Sequence, residues 1–217
     1  MESPFPSLVQ TEDGSFTLLD PRTQQHFHSL RGARQESEHV FIQHGLLAVT
    51  TPTIKILEVG YGTGLNALLS WNSSKKSGQG LHYIAYDLYP ILTADHIQST
   101  DSEEEMIWRK MHEAHWNEPL SISPFFLLEK RNEDILQFQL PEASIDLIYH
   151  DAFSPNAEPT LWTTDLFQKM YKVLKVGGVW VSYCAKGQVR RDLQSSGFQV
   201  ERLPGPPGKR EMLRAIK

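Results

Sequence analysis

The feature that most constrains this chain is a predicted strand that runs into three closely spaced glycines and then into a helix. It covers residues 54–66 and reads I-K-I-L-E-V-G-Y-G-T-G-L-N. Glycine at positions Gly60, Gly62 and Gly64 lets the backbone turn sharply and approach a ligand where a Cβ would block it. The motif therefore predicts a ligand-binding turn at the carboxyl end of a strand in an α/β sheet.

The spacing of these glycines differs from that of a dinucleotide-binding turn. A dinucleotide fold uses G-x-G-x-x-G to place a pyrophosphate at a helix N-terminus, whereas this loop has Leu65 where the third glycine is required. Glu58, two residues before the first glycine, would repel a pyrophosphate but attract the cationic end of an amino acid. The spacing therefore argues against an NAD-dependent oxidoreductase, while a purely structural turn stays open as the alternative.

Beyond the loop, short β-rich runs alternate with helical patterns, which is typical of a doubly wound α/β sheet. Most of the runs are almost continuously apolar, as parallel strands are when helices cover both faces. We therefore predict a Rossmann-like fold with a mostly parallel, seven-stranded sheet. The predicted strands are Ile54–Val59, His82–Asp87, Ser121–Leu128, Ile145–Asp151, Val179–Ala185, Gln199–Leu203 and Met212–Ile216. The predicted helices are Leu65–Trp71, Leu92–His115, Asp134–Gln139, Thr164–Leu174 and Gln188–Ser196.

A length of 217 residues suits one domain with elaborations. Near the start, Ser15–Leu19 and Gln25–Leu30 flank a turn-forming D-P-R-T segment. We expect residues 1–50 to form an N-terminal elaboration with a short β-hairpin and a loop, and residues 51–217 to form the main domain. Asp146 precedes an apolar run, and we expect it to lie in solvent at the start of a strand.

The composition excludes several classes of protein. A net charge of −5 and a pI near 6.0 argue against a protein coated in basic residues. No apolar run approaches the roughly 18 residues that span a bilayer, and the N-terminus lacks the pattern of a signal peptide. We therefore expect a cytoplasmic protein. Its one cysteine, Cys184, has no partner for an internal disulfide and is expected to be an inert core thiol.

Three acids follow three successive strands, at the edge where open α/β sheets bind their ligands. Asp87 is placed to accept hydrogen bonds from ribose hydroxyls, since an ionised carboxylate only accepts them. Asp134 is placed to take an adenine amino group, and Asp151 ends the strand that follows. One isolated acid would more simply be a helix N-cap. Three of them after a glycine loop favour a nucleoside-binding site.

Nine histidines raise the question of a metal site. His26 and His28 are two apart on a predicted strand, and His112 and His115 lie on a predicted helix without a third ligand nearby. Zinc sites in proteins use three or four ligands. We therefore predict no metal site.

Four segments, in this order, resemble one family of enzymes. They are H-S-L-R-G-A-R-Q-E-S-E-H-V-F at residues 28–41, the glycine loop, D-A-F-S-P-x-x-x-P-x-L-W at 151–162, and G-K-R-E-M at 208–212. Together they are similar to the methyltransferase domain of the MnmC type, in its stand-alone, MnmD-like form. That family uses S-adenosyl-L-methionine to make 5-methylaminomethyl-2-thiouridine at the wobble position of certain tRNAs. The glycine loop is general to class I methyltransferases, whereas the last two segments are much more specific.

The resemblance implies roles for individual residues. The methionine part of the cofactor would be held by Glu58, Gly60, Tyr61, Gly62, Gly64 and Asn66. Asp87 would bind the ribose and Asp134 the adenine, while Asp151 would be the catalytic acid beside the transferred methyl group and the amine. Asp87 stands where the family commonly has glutamate, which shortens its reach to the ribose, and the segment before Asp134 lacks the family's Gly-Asp step.

The resemblance also implies an RNA-binding face. Phe153 and Trp162, in a loop stiffened by Pro155 and Pro159, would form a wall on which a uridine stacks, with loop packing as the alternative. The segment from Lys186 to Lys217 carries a local excess of five positive charges, although the whole chain is acidic. The residues that would contact tRNA phosphates are Lys186, Arg190, Arg191, Lys209 and Arg210; a solvated surface is the alternative.

Other functions stay open at this point. The same cofactor pocket would serve a methyltransferase that acts on a small molecule or a protein. A non-catalytic tRNA-binding scaffold is a further alternative, although an intact glycine loop and Asp151 weigh against it. Because the chain contains no second glycine loop, we expect a separate enzyme to supply the aminomethyl intermediate.

Overall fold

The computed structural model describes residues 6–217, and it is built around one eight-stranded sheet with the strand order β10-β11-β9-β8-β4-β5-β7-β6. The first five residues of the predicted elaboration lie outside the described part. The strands of this sheet are β4 (Thr53–Val59), β5 (Gly80–Tyr86), β6 (Pro119–Ser123), β7 (Phe126–Arg131), β8 (Ile145–His150), β9 (Leu174–Ser182), β10 (Gln199–Pro204) and β11 (Glu211–Ile216).

Five neighbouring strands, β9-β8-β4-β5-β7, are parallel, while β6, β11 and β10 join by antiparallel pairing. The chain moves outward from β4 through β5 to β7, and then returns to the other side of β4 as β8. The order of the strands therefore reverses between β4 and β8. In open α/β sheets such a reversal opens a crevice at the carboxyl ends of the strands, where ligands bind.

Helices cover both faces of this sheet, as its apolar strands require. They are α1 (Ala33–Ser37), α2 (Leu65–Ser77), α3 (Ser102–Glu113), α4 (Thr164–Val173) and α5 (Gly187–Ser195). One buried cluster packs α2 and α3 against one face around Tyr83, and the other packs α4 and α5 against the opposite face around Trp180. The predicted α/β class, with a mostly parallel sheet and helices on both faces, is confirmed.

The segment before β4 forms a small three-stranded sheet of β1 (Ser7–Gln10), β2 (Phe16–Asp20) and β3 (Gln25–His26), followed by α1 and a π-helical turn at Glu38–Gln43. A bidentate ion pair ties α1 to α3, because both Arg34 terminal nitrogens donate to the Glu104 carboxylate at 2.6 and 2.9 Å. This pair fixes the N-terminal segment against the main sheet.

Several predicted elements were wrong in extent. The run Ser121–Leu128 is not one strand but the β6–β7 hairpin, which turns at Pro124 and adds an eighth strand to the predicted seven. The long helix predicted from Leu92 begins only at Ser102, where the Asp101 side chain accepts hydrogen bonds from two backbone N–H groups. The helix predicted at Asp134–Gln139 is a single 3₁₀ turn, Ile135–Gln137.

Asp146 was also placed wrongly by the sequence, because it is buried rather than solvated. Its carboxylate accepts a hydrogen bond from the Lys55 backbone N–H at 2.8 Å and one from the Lys175 ammonium at 2.7 Å. The first of these contacts holds β8 against the start of β4. The Asp146 carboxylate therefore supports the register of the two strands that flank the crevice.

Among residues 6–217 the structure contains no helix that is long and apolar enough to cross a membrane.

We predict that Asp146→Ala lowers the free energy of unfolding by about 1–3 kcal/mol, because it leaves the buried Lys55 N–H without an acceptor. Lys175→Met is the matched control, since it removes the ion pair but keeps that backbone hydrogen bond. The Lys175 side chain is 46% exposed, so its loss should cost less than about 1 kcal/mol. Urea unfolding of both variants tests this, and equal losses would contradict it.

Candidate active site

A cavity of about 1400 Å³ opens at the carboxyl ends of β4, β5 and β8. Of the predicted site residues, the cavity is lined by Gly60, Tyr61, Gly62, Asp87, Asp134, Asp151, Phe153 and Lys209. Glu58, Gly64 and Asn66 lie one layer behind this surface. The predicted convergence on one crevice therefore holds for most of the acids, with Glu58 acting from behind the wall.

The glycine loop leaves no room for side chains. Gly60 has a φ of 85°, and a Cβ there would lie 2.8 Å from the Asp151 carbonyl oxygen. Gly62 has a φ of 50°, and its Cβ would lie 3.0 Å from the Phe27 ring. Gly64 caps α2 in the left-handed conformation, with the Tyr61 hydroxyl 2.7 Å from where a Cβ would be. The loop is thus packed between β8 on one side and the N-terminal segment on the other.

The Asn66 amide joins the two acids at the centre of the site. Its Nδ2 donates to Glu58 Oε1 at 3.0 Å and to Asp151 Oδ2 at 2.7 Å. Among the described residues, the buried Glu58 Oε2 and Asn66 Oδ1 have no hydrogen-bond partner. Glu58 is 0% exposed, so it orients Asn66 rather than facing the cavity. The structure therefore gives Glu58 an indirect position instead of the direct ligand contact that we expected.

Burial changes the charge state of both acids. It raises the pKa of Glu58 well above its ordinary value, and the neighbouring Asp151 raises it further, against the Asn66 hydrogen bond. Burial also raises the pKa of Asp151 to about 7, while Asn66 and Lys209 lower it and Glu36 raises it. Asp151 therefore exchanges its proton near neutral pH, which suits a group that handles an amine proton.

Asp87 and Asp134 are the two predicted nucleoside contacts. Asp87 Oδ2 accepts from the Gly62 N–H at 2.8 Å and Oδ1 from the Tyr89 N–H at 2.9 Å, and burial raises the Asp87 pKa. Its carboxylate is therefore fixed beside the glycine loop at the cavity wall. Asp134 also lines the cavity, but its Oδ1 accepts from the Leu136 N–H at 2.9 Å and caps the 3₁₀ turn. Asp134 therefore caps the 3₁₀ turn, while its contact with adenine stays a prediction.

The N-terminal segment supplies a wall of the cavity that the sequence did not predict. Arg22 donates to Glu158 at 2.6 Å, and its guanidinium lies 4.2 Å from the centre of the Tyr89 ring. Gln25 donates to Ser154 Oγ at 3.0 Å. These contacts join β2–β3 to the loops after β5 and β8. No sequence pattern pairs residues about 130 positions apart, so only the fold brings them together.

A second contact across the chain was also missed. Glu36 on α1 accepts a hydrogen bond from Lys209, which lies in the loop between β10 and β11, and both side chains line the cavity. The other Glu36 oxygen accepts from the Ser29 N–H at 3.1 Å. Glu36 and Lys209 belong to two of the segments that resembled the MnmC type, which is the signal that was available in the sequence.

Of the predicted contact residues, Tyr61 and Trp162 pack against other side chains of the protein, and Pro155 lies away from the cavity. The Tyr61 ring packs edge-on against Trp116 with centroids 5.8 Å apart, inside the core beneath the loop. Trp162 is 5% exposed, its Nε1 donates to the Phe153 carbonyl at 2.8 Å, and it does not line the cavity. Pro155 does not line the cavity either. We therefore correct the predicted stacking role of Trp162 to loop packing, whereas Phe153 faces the cavity.

The predicted basic residues do not form one group at the rim. Lys209 is inside the cavity and bonded to Glu36, which leaves it badly placed for a phosphate. Lys186 donates to Asn156 at 2.7 Å on the surface beside the Asp151 loop. Arg190 and Arg191 lie on α5, where Arg191 bonds Gln188 of the same helix, and Arg210 is exposed. Only Lys186 and Arg210 keep a surface position next to residues of the site.

The charge of the cavity indicates the kind of ligand it accepts. Eight carboxylic acids line it, together with only two strong cations, Arg22 and Lys209. Both cations are bonded to carboxylates, Glu158 and Glu36. Such a surface favours a cationic ligand and disfavours a polyphosphate. In the described part of the chain, no group of three or more His, Cys, Asp or Glu side chains is arranged to hold a metal ion.

Comparison with known proteins agrees with this geometry. A family profile described as an S-adenosyl-L-methionine-dependent methyltransferase matches residues 126–217. The chain is 30% identical, over 92% of its length, to the tRNA 5-methylaminomethyl-2-thiouridine biosynthesis bifunctional protein MnmC of Magnetococcus marinus. It spans about a third of that protein, because the match covers 32% of the relative.

Two solved structures share the fold. MNMC2 from Aquifex aeolicus superposes with a TM-score of 0.84 at 24% identity, covering 99% of this chain and 71% of that one. Spermidine synthase from Thermotoga maritima superposes with a TM-score of 0.54 at 13% identity, covering 100% of this chain and 70% of that one. The match to MNMC2 includes the N-terminal segment that forms one wall of the cavity.

We predict that Gly60→Ala destabilises the chain more than Gly78→Ala does. Both positions have a positive φ, which costs an alanine about 1–2 kcal/mol. A Cβ at Gly78 meets nothing within 4 Å, whereas one at Gly60 collides with the Asp151 carbonyl. We expect Gly60→Ala to lose a further ~1–3 kcal/mol in urea unfolding. Equal losses would show that the loop is not packed against β8.

Proposed function

Because this chain is an S-adenosyl-L-methionine-dependent methyltransferase similar to MnmC, we propose that it methylates the primary amine of 5-aminomethyluridine, or of its 2-thio form, at the wobble position of tRNA. The product is the 5-methylaminomethyl nucleoside. The observation that carries the proposal is the acid-lined cavity at the carboxyl ends of β4, β5 and β8, with Asp151 in its wall.

The residues of the cavity fit this cofactor. Gly60 and Gly62 line the cavity with backbone alone, and the Asp87 carboxylate is fixed at the wall as an acceptor for ribose hydroxyls. Asp134 lies on the same wall for the adenine amino group. The excess of carboxylates suits a ligand that carries two positive charges. When bound, S-adenosylmethionine supplies a methyl group on a positively charged sulfur, which leaves as a neutral thioether once the amine nitrogen bonds to carbon.

Asp151 is the group that prepares the amine. A primary amine is mostly protonated at neutral pH and reacts only after it loses a proton. An ionised Asp151 accepts hydrogen bonds from the amine N–H groups and aims the nitrogen lone pair along the line of attack. The Asn66 amide holds one oxygen of that carboxylate in place and leaves the other for the substrate. The proton that the new secondary ammonium releases passes to Asp151 or through it to water.

Proximity supplies most of the remaining acceleration. The amine and the methyl donor are both intrinsically reactive, so holding them about 3 Å apart and in line removes much of the barrier. The Arg22–Glu158 and Gln25–Ser154 contacts fix the walls that hold them. The Asp151 backbone is held against β4, because its N–H donates to the Val59 carbonyl at 3.0 Å.

The base that carries the amine has to enter the cavity unstacked, as RNA loop bases do when they are recognised. Phe153 lies beside Asp151 in sequence and packs edge-on against Phe27 with centroids 5.0 Å apart. These two rings belong to the aromatic part of the cavity wall. We infer that the uridine ring packs against them, while Lys186 and Arg210 lie outside the cavity for backbone phosphates.

The direct test of this proposal is incubation of the chain with labelled S-adenosylmethionine and tRNA from cells that accumulate the aminomethyl nucleoside. We expect label in the 5-methylaminomethyl nucleoside after digestion of the tRNA. Cofactor binding without label in tRNA would redirect the substrate to a small molecule or a protein. Binding of tRNA without binding of the cofactor would favour the scaffold.

We predict that Asp151→Asn lowers kcat/KM by at least about a hundredfold. The amide keeps the size of the side chain but removes the negative acceptor. In the wild type, kcat/KM should fall as the pH drops through the Asp151 pKa of about 7, because only the ionised acid acts. Asp165→Asn, an exposed change on α4, is the control for loss of one charge. Wild-type kinetics in Asp151→Asn would show that Asp151 does not prepare the amine.

A further inference from the structure

The contact between Glu36 and Lys209 stands out because the proposed reaction does not use it. Both side chains line the reaction cavity, Glu36 at 9% and Lys209 at 35% exposure, and they come from opposite ends of the chain. A lysine inside a cavity built for a cationic ligand works against binding unless its position is controlled. The structure shows how that control is achieved.

Three contacts from one N-terminal segment hold the loop that carries Lys209. His39 Nε2 lies 2.8 Å from the Pro204 carbonyl oxygen at the start of the loop. The Arg31 side chain lies across Gly208, since a Cβ there would collide with Arg31 Cδ. Glu36 forms an ion pair with the Lys209 ammonium itself. The loop is therefore held at both ends and at the charged side chain.

The position of Lys209 next to Asp151 is also defined by its other neighbours. Its ammonium lies 4.2 Å from the centre of the Tyr183 ring, and the Tyr183 hydroxyl donates to the Ala152 carbonyl at 2.9 Å. Lys209 therefore lies against the residues that flank Asp151. Its ion pair within the described chain is with Glu36 and not with Asp151.

We propose that Glu36 is a positioning residue that holds the Lys209 ammonium close to Asp151 without letting it bond the Asp151 carboxylate. Asp151 thereby stays ionised and accessible to the substrate amine. This inference rests on the proposed function and deepens it. Without Glu36, the lysine would be free to bond Asp151 and to occupy the place of the amine. Without Lys209, the uncompensated Glu36 charge would favour the protonated acid.

Several titratable or charged groups face Asp151, and they come from different elements. They are Glu58 on β4, Glu36 on α1, Lys209 in the β10–β11 loop and Tyr183 after β9, while Asn66 on α2 donates its hydrogen bond. Burial raises the pKa of Glu58 and of Tyr183, which favours the neutral form of both side chains. The nearby charges that remain are those of Glu36 and Lys209.

Removing the charge of Lys209 and removing that of Glu36 should therefore shift the Asp151 pKa in opposite directions. Lys209→Met should raise the pKa of Asp151 and Glu36→Gln should lower it, each by about half a pH unit or more. The double variant restores a neutral pair, so its Asp151 pKa should return toward that of the wild type. A purely structural role would shift all three variants in the same direction or leave them unshifted.

The experiment is a ¹³C NMR titration of aspartate side-chain carboxyls in the full chain, with Asp151→Asn assigning the Asp151 signal. Lys76→Met and Glu142→Gln are matched controls for the change of charge at exposed positions, and they should leave that signal unmoved. Because no substrate is present, this result is independent of whether wild-type chain methylates tRNA.

Opposite shifts in the single variants and cancellation in the double variant would support the proposal. Shifts of the same sign, or no shift, would overturn it. If Glu36→Gln does not fold, Lys209→Met alone decides, since an unchanged or lowered Asp151 pKa contradicts the inference. A failure of wild-type tRNA methylation would instead count against the proposed function.

Discussion

One side-chain amide is the contact on which the site depends. Asn66 donates to Glu58 on β4 and to Asp151 after β8, the two neighbouring strands between which the strand order reverses. Two carboxyl groups this close would repel one another if both were ionised, and burial makes that cost larger. The amide provides one hydrogen for each acid. It reaches both because Asn66 lies in the first turn of α2, directly after the glycine loop, so the loop and the acid pair form one unit.

The charged side chains that line the cavity are subject to the same constraint, that buried like charges repel one another. The acids outnumber the cations, and each cation is held by a carboxylate from another part of the chain, Arg22 by Glu158 and Lys209 by Glu36. Asp87 and Asp151 are thereby left for a ligand. A sulfonium nucleoside and an amine need such a surface, whereas a pyrophosphate would be repelled by it. The spacing of the glycines argued against a pyrophosphate-binding turn, and the acidic cavity of the folded chain gives an electrostatic reason for that.

Local patterns were enough to predict the centre of the fold but not its connections. The apolar strands β4, β5 and β8 and the acids that follow them were predicted because buried parallel strands and strand-end acids are local signals. The β6–β7 hairpin was missed although Pro124 interrupts the run Ser121–Leu128, since a proline inside a predicted strand argues against one continuous strand. The Asp101 N-cap was a visible start signal that the helix prediction ignored. The partners of Asp146, Glu36 and Lys209 could not be predicted, because they are decided by tertiary packing and not by sequence spacing.

The measurement that tests the central claim most directly is a crystal structure of the chain with S-adenosylmethionine bound. We predict that the ribose hydroxyls bond Asp87, that the methionine part lies along the Gly60–Gly62 backbone, and that the methyl group points toward the side of the cavity that holds Asp151. A ligand seated elsewhere, or seated here with its methyl group directed away from Asp151, would contradict the account.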